Sequence, residues 1–132
     1  YRYQWRLDHT IYRSIIMSSP VFITNLVIYT GTDFAQTFVL EDYRSNTTMD
    51  LTGYTGRGHI KKYASESYAA EFSFYLALDP KTGRFSIEML SAATSKLKPG
   101  SYLYDVILKD PSGGVTRAVE GTALVKKAVT KL

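Results

Sequence analysis

The sequence predicts an all-β protein, an antiparallel sandwich of about seven or eight strands. The chain has 132 residues, the size of one domain, and it contains eleven Tyr, six Phe and one Trp. With many Val, Ile and Thr, this composition suits half-buried pleated surfaces better than helices. Short runs of alternating apolar and polar residues are separated by turn residues, which is the pattern of a sandwich or barrel.

The first strands are predicted at 21–30 and 34–40. The next strand places four residues on one face: Tyr54, Gly56, Gly58 and Ile60. Two glycines inside a strand indicate either a bulge or a large side chain that crosses closely over the sheet.

The clearest alternation predicts a hairpin in the middle of the chain. Its turn is 79–83, which contains Pro80 and Gly83. In its first strand, the apolar face consists of Phe72, Phe74, Leu76 and Leu78. In its second strand, Phe85, Ile87 and Met89 continue that face. One short helical turn is predicted near residues 91–97. The last two strands, 102–108 and 115–125, are joined by a turn at 110–114.

The segment Leu97-Lys98-Pro99-Gly100-Ser101-Tyr102 has the form of a tyrosine corner. In this motif a Tyr that follows a turn donates its hydroxyl to a backbone group a few residues upstream. Leu97, Gly100 and Tyr102 are therefore structural candidates and not catalytic ones. The motif favours an immunoglobulin-like sandwich over a closed barrel.

The positive charge of the chain lies at its two ends. The net charge is +4, but residues 14–125 hold ten basic and eleven acidic residues. A nucleic-acid-binding domain carries its positive field on the folded face, so the distribution argues against nucleic acid as a partner. The most apolar stretch, 14–29, is interrupted by Pro20 and polar residues and is shorter than a membrane span. No membrane partner is predicted.

No catalytic, metal or cofactor site is predicted. The chain has no Cys and only two His, His9 and His59, and His59 lies beside Arg57 and Lys61 on the polar face of its strand. Asp79 and Asp110 each precede Pro in a turn, where Asp caps its own backbone. Asp105 is the one carboxylate of the three without an assigned role, and one carboxylate does not make a glycosidase site. We therefore expect a protein that is not an enzyme.

Residues 1–16 are predicted to be an N-terminal arm or extension, and residues 17–132 a single sandwich domain. Aromatic and apolar residues alternate with charged and polar ones in the arm: Tyr1, Tyr3, Trp5 and Leu7 form its apolar face. Aromatics interleaved with Arg can stack on nucleic acid, but packing on its own sheet or on a neighbour is the favoured interpretation. The arm and the uncharged strand 21–30 predict a homo-oligomer, formed by strand addition or arm exchange.

Several segments between Met49 and Lys131 carry a resemblance to a known family. They are Asp50-Leu51-Thr52-Gly53-Tyr54-Thr55, Pro99-Gly100-Ser101-Tyr102-Leu103-Tyr104-Asp105-Val106, Gly114-Val115-Thr116-Arg117, Glu120-Gly121-Thr122 and Val129-Thr130. In order and spacing, this string resembles the small immunoglobulin-like domain of tailed-bacteriophage structural proteins. It is similar to the N-terminal domain of phage baseplate upper proteins and to short virion proteins of cyanobacterial phages.

The resemblance implies a virion structural protein of the tail or baseplate. Such a protein is made in the host cytoplasm, has no cofactor and acts through contacts with other virion proteins. The alternative is a β-sandwich module that binds carbohydrate or a host surface, for which Tyr43, Tyr63, Tyr68 and Tyr75 are candidate platform residues.

Overall fold

A computed structural model describes residues 3–7, 15–16, 22–42, 47–62 and 67–130. Eleven strands run through these residues: β1 (Tyr3–Leu7), β2 (Ile15–Ile16), β3 (Phe22–Ile23), β4 (Leu26–Tyr29), β5 (Phe34–Asp42), β6 (Thr47–Thr48), β7 (Thr55–Lys62), β8 (Ala70–Leu76), β9 (Arg84–Met89), β10 (Gly100–Lys109) and β11 (Val115–Lys126). One short helix, α1 (Ser91–Thr94), and one 3-10 turn (Pro80–Thr82) complete the described part. The all-β prediction is confirmed, and the strand count exceeds seven or eight because several strands have only two residues.

The strands form one curled sheet in the order β2-β1-β5-β9-β8-β7-β10-β11-β3, with β4 beside β11 and β6 beside β5. The sheet folds over at β8, so that β5, β9 and β8 face β7, β10 and β11. This is the strand order of an immunoglobulin-like sandwich. The core between the two layers contains fully buried side chains from both, among them Phe38, Phe85, Ile60 and Val106.

The sandwich is a mixed sheet, which corrects the expectation of purely antiparallel strands. Both β3 and β4 pair with β11 in parallel, with Val27 beside Leu124 and Ile23 beside Glu120. Apolar–polar alternation shows which face of a strand is buried but carries no information on the direction of the neighbouring strand. The sequence therefore predicted the strand at 21–30 without its orientation.

The predicted strand 21–30 is broken at Thr24 and Asn25, opposite Gly121 of β11. A Cβ atom on Gly121 would collide with the Thr24 carbonyl oxygen, so only glycine allows the two backbones to approach this closely. Tyr104 pairs with Gly121 in the neighbouring strand, and its hydroxyl donates to the same Thr24 oxygen at 2.7 Å. Burial of this hydroxyl raises the pKa of Tyr104. The break is thus a hydrogen-bonded junction between three strands.

Strands β8 and β9 form the predicted antiparallel hairpin, with pairs from Ser73 opposite Glu88 to Leu76 opposite Phe85. Asp79 caps the turn by accepting a hydrogen bond from the Lys81 backbone N–H. The predicted face is confirmed for six of its seven residues: Phe72, Phe85, Ile87 and Met89 are buried, and Phe74 and Leu76 pack against the core. Leu78 was wrongly assigned to that face. It lies beyond the last ladder pair and is fully exposed at the start of the turn.

The two glycines of β7 lie under the aromatic rings of β8. A Cβ atom on Gly56 would overlap the ring of Phe74, and one on Gly58 would lie 3.3 Å from Phe72 Cδ2. Gly58 and Phe72 are also partners in the ladder. Of the two explanations that the sequence left open, a large side chain crossing closely over the strand is the correct one.

Tyr102 lies at the start of β10, immediately after the segment that follows α1. Its ring is buried, its hydroxyl donates to the Lys98 carbonyl oxygen at 2.6 Å, and the Lys62 ammonium lies 4.5 Å from its ring centroid. Leu97 is buried beneath the same turn, and Gly100 begins β10. This is the geometry of a tyrosine corner.

Replacing Tyr102 by Phe is expected to lower the free energy of unfolding by about 1–2 kcal/mol, because the part-buried hydrogen bond from its hydroxyl to the Lys98 carbonyl oxygen is lost. Urea denaturation of the two proteins measures the difference. Tyr75→Phe is the control, because Tyr75 is half exposed. Equal midpoints for Tyr102→Phe and the unchanged protein would mean that the hydrogen bond contributes nothing.

Strand β1 lies along β5 of the same chain, with five residue pairs from Tyr3 opposite Asp42 to Leu7 opposite Phe38. Strand β2 extends the sheet beyond β1. Tyr1 and the side chains of Tyr3, Trp5 and Leu7 lie outside the described residues. The division of the chain at residues 16 and 17, and self-association through the arm, stay predictions.

Candidate ligand-binding groove

Four ionisable side chains form a row across the outward face of the sandwich. In the ladder, Glu71 of β8 is the partner of His59 in β7, His59 is the partner of Asp105 in β10, and Asp105 is the partner of Glu120 in β11. Side chains of directly opposed residues point to the same face of a sheet and lie close together. Strand pairing alone therefore aligns these four groups, which are far apart in sequence.

Glu71 binds both Arg57 and His59 at one end of the row. Its Oε2 atom lies 2.6 Å from Arg57 Nε and 3.2 Å from His59 Nε2. The hydrogen bond from Arg57 lowers the pKa of Glu71, and the bond from His59 acts in the same direction. Glu71 is therefore ionised at neutral pH. Its carboxylate offsets the positive charge of Arg57 and Lys61, which lie near His59 in the sequence.

His59 is also covered on one face by an aromatic ring. The His59 and Tyr68 rings are stacked, with centroids 4.0 Å apart and an angle of 10° between the planes. Tyr68 itself is 51% exposed. The stack holds an exposed aromatic ring at the edge of the row.

Arg117 occupies the other end of the row, between two carboxylates. Its Nε atom lies 3.3 Å from Asp105 Oδ2, and its Nη1 atom lies 3.6 Å from Glu120 Oε2. This contact accounts for Asp105, which had no role in the sequence analysis. Because all three side chains are partly exposed, the ion pairs are screened by water and contribute little to stability. Their groups remain accessible to a ligand.

A groove of about 640 Å³ lies along this row. Ionisable, apolar and aromatic side chains line it, including His59, Lys61, Tyr68, Leu103, Asp105 and Arg117. The volume is in the range of small-molecule sites, which typically measure about 300–1,000 Å³. A groove with an aromatic wall and converging polar groups can bind a ligand without any catalytic group.

Beside the groove, exposed apolar side chains from four strands form what we term the apolar strip: Ile23, Val27, Tyr29, Leu103 and Leu124. Each is between 38% and 63% exposed. Val27 and Leu124 are ladder partners, and Tyr29 follows Val27 on the same face of β4. Ile23 and Leu103 line both the strip and the groove. Single exposed apolar residues are common, whereas a cluster of this kind is a candidate interaction surface.

The remaining sequence candidates are structural. Asp110 accepts hydrogen bonds from the Ser112 hydroxyl and from the Ser112 and Gly114 backbone N–H groups, and these bonds lower its pKa. Asp79 caps its turn in the same way. Within the described part of the chain, no group of three or more His, Asp and Glu is arranged to hold a metal ion. That part also contains no helix long and apolar enough to cross a membrane.

The sequence pointed to some members of the groove but did not bring them together. Tyr68 was one of four candidate platform residues, and it is the one that lines the groove. Tyr75 is exposed on β8 away from it, and Tyr43 and Tyr63 lie outside the described residues. Arg117, Lys61 and Glu120 were missed as binding candidates. The available signal was their position on outward faces of strands, which becomes informative only once the pairing is known.

No protein-family model matches the chain, and no curated protein matches it. Among solved structures, the chain is similar to a GspB Siglec domain, with 12% identity and a TM-score of 0.46 over 79% of this chain and 54% of that one. It is also similar to a variant of the SrpA adhesin from Streptococcus sanguinis, with 9% identity and a TM-score of 0.44 over 77% of this chain and 54% of that one. The chain thus spans about half the length of either structure.

Proposed function

We propose that the chain is a virion structural protein of a tailed bacteriophage, an assembly module of the tail or baseplate that acts through protein–protein contacts. The observation that carries the proposal is the apolar strip, which lies on the outward face of β3, β4, β10 and β11. The resemblance of the segments between Met49 and Lys131 to phage structural proteins supplies the biological setting.

A protein partner suits the apolar strip for two physical reasons. Covering five large apolar side chains removes apolar surface from water, which is the main driving force of protein association. In addition, β4 is hydrogen-bonded to no described strand other than β11, and its residues carry no charge. An edge strand without charges accepts another strand more readily than one protected by Lys or Glu. Other virion proteins and further copies of the chain are the proposed partners.

Replacing Val27 by Lys is expected to weaken assembly at least about tenfold, because a charge would have to be buried in the contact. The yield of infectious particles is measured by complementing a phage that lacks the gene. Val115→Lys is the matched control, since Val115 is also exposed but lies at the hairpin end of β11, outside the apolar strip.

Two results would contradict the virion role. One is that mass spectrometry of purified particles of the phage that carries the gene does not detect the chain. The other is that Val27→Lys and Val115→Lys give equal yields. The genes that flank this one provide an independent check, since tail and baseplate genes are expected there.

A second candidate function is that of a module that binds carbohydrate or another component of a host surface. The groove favours it, because the stacked ring of Tyr68 and the converging side chains of Lys61, Asp105 and Arg117 form a concave site that an assembly contact does not require. The two functions use overlapping surfaces, since Ile23 and Leu103 belong to both the apolar strip and the groove.

A further inference from the structure

We propose that the groove binds a neutral carbohydrate, with one pyranose ring stacked on Tyr68 and hydroxyl groups bound by Arg117, Asp105 and Lys61. The inference rests on the second candidate function, that of a surface-binding module, and it is independent of the virion role. It names the chemical class of the ligand, which follows from the aromatic wall, the charge balance and the position of the groove in the sheet.

The aromatic wall is fixed before a ligand arrives. With one face of the Tyr68 ring against His59, its other face and its edge remain for contact, which agrees with its 51% exposure. Glu71 holds His59 from the side through its 3.2 Å contact. A ring that is already oriented loses little conformational freedom on binding, so more of the contact energy appears as affinity. The C–H face of a sugar ring is a flat apolar surface of matching size.

The charges that line the groove cancel. Lys61 and Arg117 are balanced by Asp105 and Glu120, and Arg117 is in ion-pair contact with both carboxylates. A carboxylate accepts hydrogen bonds and a guanidinium donates them, and each has more capacity than its ion pair uses. A sugar hydroxyl donates and accepts, so neighbouring hydroxyls can bridge such a pair. A ligand with a net charge gains no such advantage in a groove whose charges already balance.

His59 and Asp105 lie on inner strands of the sheet. His59 belongs to β7, which is paired with β8 and β10, and Asp105 belongs to β10, which is paired with β7 and β11. Their backbone groups are used in ladders, so recognition at these two positions falls to side chains. Ile23, which also lines the groove, lies on the edge strand β3, next to β4, where a protein partner is proposed.

The test uses the full chain on an array of neutral hexoses and N-acetylhexosamines, with carboxylated and sulfated sugars as the acidic set. Binding to at least one neutral sugar is expected. For that sugar, Tyr68→Ala is expected to raise the dissociation constant by about tenfold or more, measured by calorimetry. Tyr68→Phe, which keeps the ring, should bind within a few-fold of the unchanged protein. Tyr75→Ala is the matched control, because Tyr75 is 53% exposed and does not line the groove.

Thermal unfolding of each variant confirms that a loss of binding is not a loss of fold. Binding confined to acidic sugars, or neutral-sugar binding that Tyr68→Ala and Tyr75→Ala weaken equally, overturns the proposal. No binding to any sugar also overturns it. Binding to whole host cells then tests the surface-binding function itself. If the chain binds cells and periodate treatment of the cells has no effect, the surface-binding function holds but its ligand is not a carbohydrate. If it does not bind cells either, the surface-binding function fails with it.

Discussion

Replacing Gly121 by Ala is expected to lower the free energy of unfolding by about 3 kcal/mol. Two costs combine. The new Cβ atom would collide with the Thr24 carbonyl oxygen, which is backbone and has little room to move. The same carbonyl accepts the Tyr104 hydroxyl, so displacing it also disturbs that hydrogen bond. The urea midpoint and its slope measure the change.

Gly113→Ala is the control that separates collision from backbone strain. Gly113 has a positive φ of 97°, but nothing lies within 4 Å of the position of its Cβ atom. Its replacement should therefore cost only the conformational strain, about 1 kcal/mol or slightly more. If the two substitutions cost the same, the close approach of Gly121 to Thr24 is not a constraint on the fold.

Replacing Gly56 by Val is expected to lower the free energy of unfolding by about 2–3 kcal/mol, because the Phe74 ring occupies the space that the side chain needs. Phe74 has little freedom to move aside, since its ring also stacks on Phe85 at a centroid distance of 5.4 Å. In a chain that already carries Phe74→Ala, the same Gly56→Val substitution should cost much less, since the space is vacant and Val suits a strand.

A double-mutant cycle on these two positions isolates their interaction. We expect a coupling free energy of about 2 kcal/mol, obtained from four urea denaturation curves. Val27→Ala paired with Phe74→Ala provides the reference cycle, because Val27 is exposed on a distant strand and should show additivity. If Gly56→Val and Phe74→Ala change the free energy of unfolding additively, the Phe74 ring is not the reason for a glycine at position 56.

The sequence revealed those parts of the fold that depend on local pattern. The buried faces of β7, β8 and β9 follow from alternation, and the caps at Asp79 and Asp110 follow from the Asp-Pro turns. The hydroxyl contact of Tyr102 depends on a residue only four positions upstream. In each case the interacting groups are near in sequence or repeat with a period of two, so their relation can be recognised without knowing the fold.

The groove could not be predicted in the same way because its members meet only through pairing between strands. Arg117 reaches Asp105 across the β10–β11 ladder, and Glu71 reaches His59 across the β7–β8 ladder. The sequence shows each as a polar residue on an outward face, and most such residues are merely solvated. The parallel pairing of β4 with β11 could not be predicted for the same reason. The register and the direction of paired strands depend on how the whole core packs. They therefore cannot be derived from the pattern of one strand.

Strand β8 is hydrogen-bonded to β9 in one layer and to β7 in the other. A pull on either layer therefore reaches the other through a ladder of backbone hydrogen bonds, and not only through the side chains between them. Apolar contacts slide under load, whereas a ladder loaded along its strands yields only when several bonds break together. We therefore expect the molecule to resist a pull along its strands, because three ladder pairs between β7 and β8 and four between β8 and β9 join the two layers through the backbone.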